Sequence, residues 1–157
     1  MSAKDNSRRS QRMLAFQALY GQEFLSCETV ENLKDAFRNV PRQDGMEEGA
    51  EPSGFAWELV LGVWQNRKYL DEVIEGFAHN WRLDRVGRVE LNLLRLGVYE
   101  MLFRNDVPAK VTMNEALELD KQYGDTGSHT FVNGILDAVS RAKEKGTLTP
   151  DAAPAGK

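Results

Sequence analysis

The stretch VGRVELNLLRLGVYEMLF, residues 86–103, decides the fold. Wound at about 3.6 residues per turn, its apolar residues cover nearly the whole circumference instead of one stripe. A helix of that kind is surrounded by other helices, so the stretch predicts the central helix of an all-helical body. Arg88, Glu90, Arg95 and Glu100 break the run. It therefore falls short of the roughly 20 uncharged apolar residues of a membrane span. Asp106-Val107-Pro108 ends it.

Working outward, the neighbours carry narrower stripes. On the N-terminal side, Leu70, Val73, Ile74 and Phe77 mark a helix ending near His79, followed by a turn at Trp81-Arg82-Leu83-Asp84. Before it, Phe55, Leu59, Val63 and Asn66 recur at helical spacing, thickened by Trp57, Val60, Leu61 and Trp64. Residues 41–54, PRQDGMEEGAEPSG, read as an acidic loop. Glu28 to Asn39 and Arg8 to Leu25 are two further helices. The apolar line of the latter, Met13, Phe16, Tyr20 and Phe24, continues into Arg9 and Arg12.

On the C-terminal side, residues 109–123 are amphipathic and stop at Gly124, a C-cap glycine. Thr126 or Ser128 is placed to cap the last helix, whose stripe is Phe131, Val132, Ile135, Leu136 and Val139. No segment alternates with period two. Asn133-Gly134 is a hairpin dipeptide, but its flanks are helical. Gly134 therefore reads as a helix glycine that admits a close neighbour, at a propensity cost of about 1 kcal/mol. The expectation is all-α, about seven helices in two packed sub-bundles. One domain spans 8–145, in halves of about 8–80 and 84–145, between a loose arm at 1–7 and a loose tail at 146–157.

The bulk numbers agree. A chain of 157 residues with 41% apolar and 28% charged residues suits one compact domain or two small packed halves. One cysteine, Cys27, rules out an internal disulfide framework and suits a reducing cytoplasm. No secretory signal is visible at the N-terminus. Lys4, Arg8, Arg9 and Arg12 against Asp5 put residues 1–20 at +3, whereas the whole chain is −4 and the remainder therefore −7. A cationic end on an anionic body is a local device for meeting an anion, above all a nucleic-acid backbone.

Signals of catalysis are weak. His79 and His129 are far apart and lack a Cys or His at ligand spacing; there is no paired-cysteine zinc signature and no Gly-Lys-Ser/Thr phosphate loop. Cys27 has no activating base near it in sequence. Asp125-Thr126-Gly127 matches the catalytic loop of aspartic proteases in letters. That loop needs β-structure around it, and here it joins two amphipathic helices.

Binding signals are stronger. Arg8, Arg9 and Arg12 span about 100° of a helix face, and guanidinium forks suit phosphates and base edges. At a helix N-terminus they oppose the macrodipole, which disfavours an idle cluster there. A second element lies at Gly124 to Phe131, where the N–H groups of a helix start, a Ser-His-Thr cluster and an aromatic converge. Backbone donors grip phosphate. Phe131 either stacks on an unpaired base or packs in the core.

Four stretches in order, RRSQRMLAFQALY (8–20), VELNLLRLGVYEM (89–101), VPAKVTMNEALELDKQYG (107–124) and SHTFVNGILD (128–137), resemble the NusB family of bacterial transcription antitermination factors. The resemblance covers about residues 8–140. It implies an all-helical non-enzyme that needs no cofactor. It implies binding of single-stranded boxA RNA, notably in ribosomal RNA leaders, together with the ribosomal protein NusE, so that the RNA polymerase antitermination complex passes terminators. The arginine-rich first helix would be the RNA element, matching Arg8, Arg9 and Arg12. The loop before FVNG would add Gly127, Ser128, Thr130 and Phe131, and the NusE surface would include Phe77 and Glu90. Three positions depart from the family pattern: Ser10 where a third arginine is frequent, Gly127 where an acid is, and Thr130 where a lysine is.

Two other functions fit parts of the chain. A NusB-like domain precedes the catalytic domain of some ribosomal-RNA cytosine methyltransferases, but this chain ends before such a domain and has no Gly-rich nucleotide loop. A helical homo-oligomer would set the arginines against Glu47, Glu48 and Glu51 of a second copy; some NusB proteins form homodimers that cover the arm.

Overall fold

A computed structural model describes residues 8–21, 26–41, 52, 54–78, 86–124 and 127–148. Among them all regular structure is helical: α1 (Arg8–Tyr20), α2 (Val30–Arg38), α3 (Gly54–Phe77), α4 (Arg88–Phe103), α5 (Ala109–Tyr123) and α6 (Ser128–Glu144). The chain divides into two compact units, Met1–Gln65 and Asn66–Lys157, with the boundary inside α3. The turn expected at 81–84 lies outside the described residues. The stretches expected as separate helices at 55–66 and 70–79 are one helix, because Asn66-Arg67-Lys68-Tyr69 contains no glycine or proline to break it.

In the first unit, α2 starts where its cap dictates. The Thr29 hydroxyl accepts the Asn32 N–H at 3.0 Å, so the helix opens at Val30 and not at Glu28. Leu33 and Phe37 form its buried side, and the Phe37 ring meets Trp57 of α3 at 5.3 Å. From α3, Ala56, Leu59, Val60 and Val63 are all but sealed from solvent. The Trp64 indole N–H donates to the carbonyl of buried Cys27 at 3.2 Å.

In the second unit, α4 packs against α5 and α6, which also pack against each other. Every residue from Asn92 to Val98 is buried, as the all-round apolar pattern predicts. Two of its buried charged residues are partnered: Arg95 makes a two-pronged pair with Asp71 of α3 at 2.8 and 2.9 Å, and the Glu100 carboxylate accepts from the Thr112 hydroxyl at 3.2 Å. The Lys143 ammonium of α6 donates to the Met101 carbonyl.

The close-packing glycine is not the expected one. Gly134 is exposed, and a Cβ there would meet none of the described atoms within 4 Å. The tight approach is at Gly97, where a Cβ would come to 2.8 Å from a Leu136 methyl. A helix glycine marks a close crossing only when it faces the neighbour, and Gly134 sits on the solvent side of α6.

Candidate functional site

One candidate element is the start of α1. Its first turn carries no acidic residue, so no carboxylate of that turn offsets the arginines' repulsion from the positive end of the helix dipole. A ring supplies the compensation. The Arg8 guanidinium carbon lies 4.0 Å from the centroid of the Phe55 ring and that of Arg12 lies 5.2 Å from it, both within reach of a cation–π attraction. Between them in sequence, the Gln11 carboxamide oxygen accepts the Ala56 N–H at 3.0 Å. Ala56 is one of the first residues of α3, whose N–H groups have no partner within their own helix. Residues 8, 11 and 12 share one face of α1, and all three attach to Phe55-Ala56.

This geometry changes the expected arrangement. The inward line of α1 runs from Leu19 and Phe16 through Arg12, which is 5% exposed, to Arg8; Arg9 is off that line and exposed. The sequence was expected to set all three arginines clear of the body on a line through Arg9 and Arg12. Arg12 is instead buried, because a residue four before Phe16 points the same way and its long stem covers apolar surface. Arg8 is exposed as well as ring-stacked.

A separate candidate element, in the second unit, is the start of α6. Gly127 is the exposed N-cap and contributes no side chain to capping. Ser128, one of two residues expected to cap, is already helical, and its hydroxyl donates to Asp120 of α5 at 2.8 Å. The other, Thr126, lies outside the described residues, as does Asp125; helices stand on both sides of that loop. Asp120 is 2% exposed and organises this corner: its second oxygen is 3.9 Å from the His129 Nδ1, and the Gly124 N–H caps α5 by donating to its carbonyl at 2.7 Å. Gly124 is the expected C-cap, but with φ −99 it is extended and not left-handed. It is glycine because a Cβ would run into Asp120. Thr130 is exposed and Phe131 half-buried.

The two residues expected on a partner surface are both in the second unit. Phe77, the last residue of α3, and Glu90, in the first turn of α4, are half-buried. The Glu90 carboxylate folds back over Gly87, at the N-cap of α4, where a negative charge complements the dipole.

Sequence reasoning missed Gln11, Phe55 and Asp120. Asp120 had a signal, a carboxylate next to Leu119 on the buried side of an amphipathic helix. Phe55 and Gln11 had none, since their meeting depends on how α1 and α3 pack. Among the described residues no group of three or more His, Cys, Asp or Glu is arranged to hold a metal ion, and no helix is long and apolar enough to cross a membrane.

Comparison with known proteins places this architecture. A model of the NusB family matches residues 9–141. The transcription antitermination protein NusB of Nitratidesulfovibrio vulgaris (strain Miyazaki F) is 52% identical, over 94% of this chain and 95% of that protein. The protein of the same description from Myxococcus xanthus is 44% identical, over 88% and 98%. Among solved structures, T. maritima NusB superposes with a TM-score of 0.74 at 34% identity, covering 90% of this chain and 98% of that one. A complex of antitermination factors NusB and NusE with double-stranded RNA contains a chain that matches with a TM-score of 0.66 at 30% identity, over 86% and 96%.

Proposed function

The chain belongs to the NusB family, and from that premise we propose that it is an antitermination factor that acts by binding RNA jointly with NusE, without catalysis of its own. The observation that carries the proposal is the pair of exposed arginines, Arg8 and Arg9, on the first turn of α1 in a chain of net charge −4. Phosphate contacts through Arg8 and Arg9, with Arg12 behind them, release counterions and set affinity. Gly127, Ser128, Thr130 and Phe131, at the start of α6, form the second RNA element. There the helix-start N–H groups suit phosphate, and Phe131, half-buried, stacks on an unpaired base. Phe77 and Glu90 belong to the surface for NusE. The RNA is the single-stranded boxA element of ribosomal RNA transcripts, and the protein works beside RNA polymerase.

The neighbouring NusB–NusE complex holds double-stranded RNA, so the test offers both forms. Binding of boxA RNA, a scrambled strand and a duplex of the same sequence is measured with and without NusE at two salt concentrations. The expected result is preference for single-stranded boxA, strengthened by NusE. The variant R8A/R9A/R12A should bind much more weakly, with a flatter salt dependence. A triple variant as tight as the parent, with the same slope, would remove the arm from the RNA site. Preference for the duplex would replace the single-strand reading.

A further inference from the structure

The start of α3 faces the arginine arm with three separate attachments, and its central residue is an aromatic. We infer that Phe55 is a positioning residue for RNA binding: its ring holds the Arg8 and Arg12 guanidiniums and so keeps the first turn of α1 helical and aimed. The inference rests on the arm's role in RNA binding proposed above.

The physical need is local. The first five residues of α1 carry three like charges, at 8, 9 and 12, with no acidic residue among them. Like charges repel one another and the positive helix terminus, so this turn by itself would fray. A frayed arm must be reordered on every binding event, and the affinity falls by the fraction of molecules that are ordered. The Phe55 ring, 4.0 Å from the Arg8 guanidinium carbon and 5.2 Å from that of Arg12, opposes the fraying. Its negative face attracts both cations without neutralising them. A carboxylate in its place would hold the arginines equally well but would cancel the charge that phosphate needs. The ring orders the arm without adding an opposing charge.

Two backbone features fix the ring. Gly54 has φ +86, a left-handed conformation that turns the chain into α3 immediately before Phe55. The Gln11 side chain, from the same face of α1 as Arg8 and Arg12, accepts the N–H of Ala56 immediately after it. Phe55 is thereby held between a constrained turn and a tie to the arm, and it is only half-buried.

The test uses the full chain with F55L, F55M and F55W. Two readouts are taken beside thermal melts. One is affinity for single-stranded boxA RNA. The other is the NMR shift of the Arg8 and Arg12 side-chain protons, which a ring face moves upfield. F55L should bind RNA about three- to tenfold more weakly and lose the upfield shifts, and F55W should restore both to within about twofold of the parent. Should F55L fail to fold, F55M, which fills the space without a ring, is judged by the same values. Parent-like RNA affinity in a folded F55L or F55M overturns the inference. So does a loss that F55W shares, which would mark Phe55 as packing alone. A parent that binds no RNA sinks the RNA reading itself, a result distinct from either.

Discussion

The three arginines of the arm are not equivalent. Arg8 and Arg9 are exposed, whereas Arg12 is 5% exposed and lies against Phe55. R8A and R9A should each reduce the slope of log affinity against log salt by about 0.7 and change stability by less than about 0.5 kcal/mol. R12A should leave the slope closer to that of the parent but cost about 1–2 kcal/mol of stability, through the lost ring contact and the apolar stem. Salt titration and denaturant melts separate the two behaviours. Tyr69 allows a test by pH. Burial raises its phenol above the ordinary 10.0, so the native state holds the proton more tightly than the unfolded chain. Its contribution is complete below about pH 10 and is lost as the pH climbs through the raised value. Y69F should weaken the alkaline loss of stability, seen as a shallower fall in melting temperature above pH 10.

Helix glycines with the same letter do opposite things. Gly97 faces Leu136 across the α4–α6 crossing, and an added methyl would stand 2.8 Å from a Leu136 carbon. G97A should destabilise by about 1–3 kcal/mol, the cost of overpacking. Gly134 of α6 is exposed with open space at its Cβ among the described residues. G134A should stabilise by about 0.5–1 kcal/mol, since alanine is the better helix former. Paired denaturant melts of the two variants check both signs, and equal signs would contradict the packing described here. Sequence periodicity located both helices but could not tell which glycine meets a neighbour. The side a residue faces depends on where the second helix is placed.

At the scale of the whole molecule, charge distribution governs binding. A chain of −4 should repel RNA except at its cationic end. Two exposed arginines, at about 0.7 each, predict that affinity falls about sevenfold or more between 50 and 200 mM salt. Filter binding across that range measures it, and a salt-independent affinity would rule out phosphate contacts. Inside the second unit, the Arg95–Asp71 pair ties α3 to α4 with Arg95 10% exposed. D71A leaves that guanidinium poorly compensated and should cost about 1–3 kcal/mol, measured by thermal or denaturant unfolding.

Local sequence by itself determined the helices, because hydrophobic periodicity and helix stops act within a few residues of one another. Val86 to Phe103 announced a buried helix, and Gly124 ended its helix at the expected place. Burial of Arg12, the hydroxyl of Ser128 turned to Asp120 and the close approach at Gly97 were not legible there. Only tertiary structure decided that Phe55 and Gln11 hold the arm. Residues more than forty positions apart meet only when two helices pack, and no periodicity within either helix encodes the meeting.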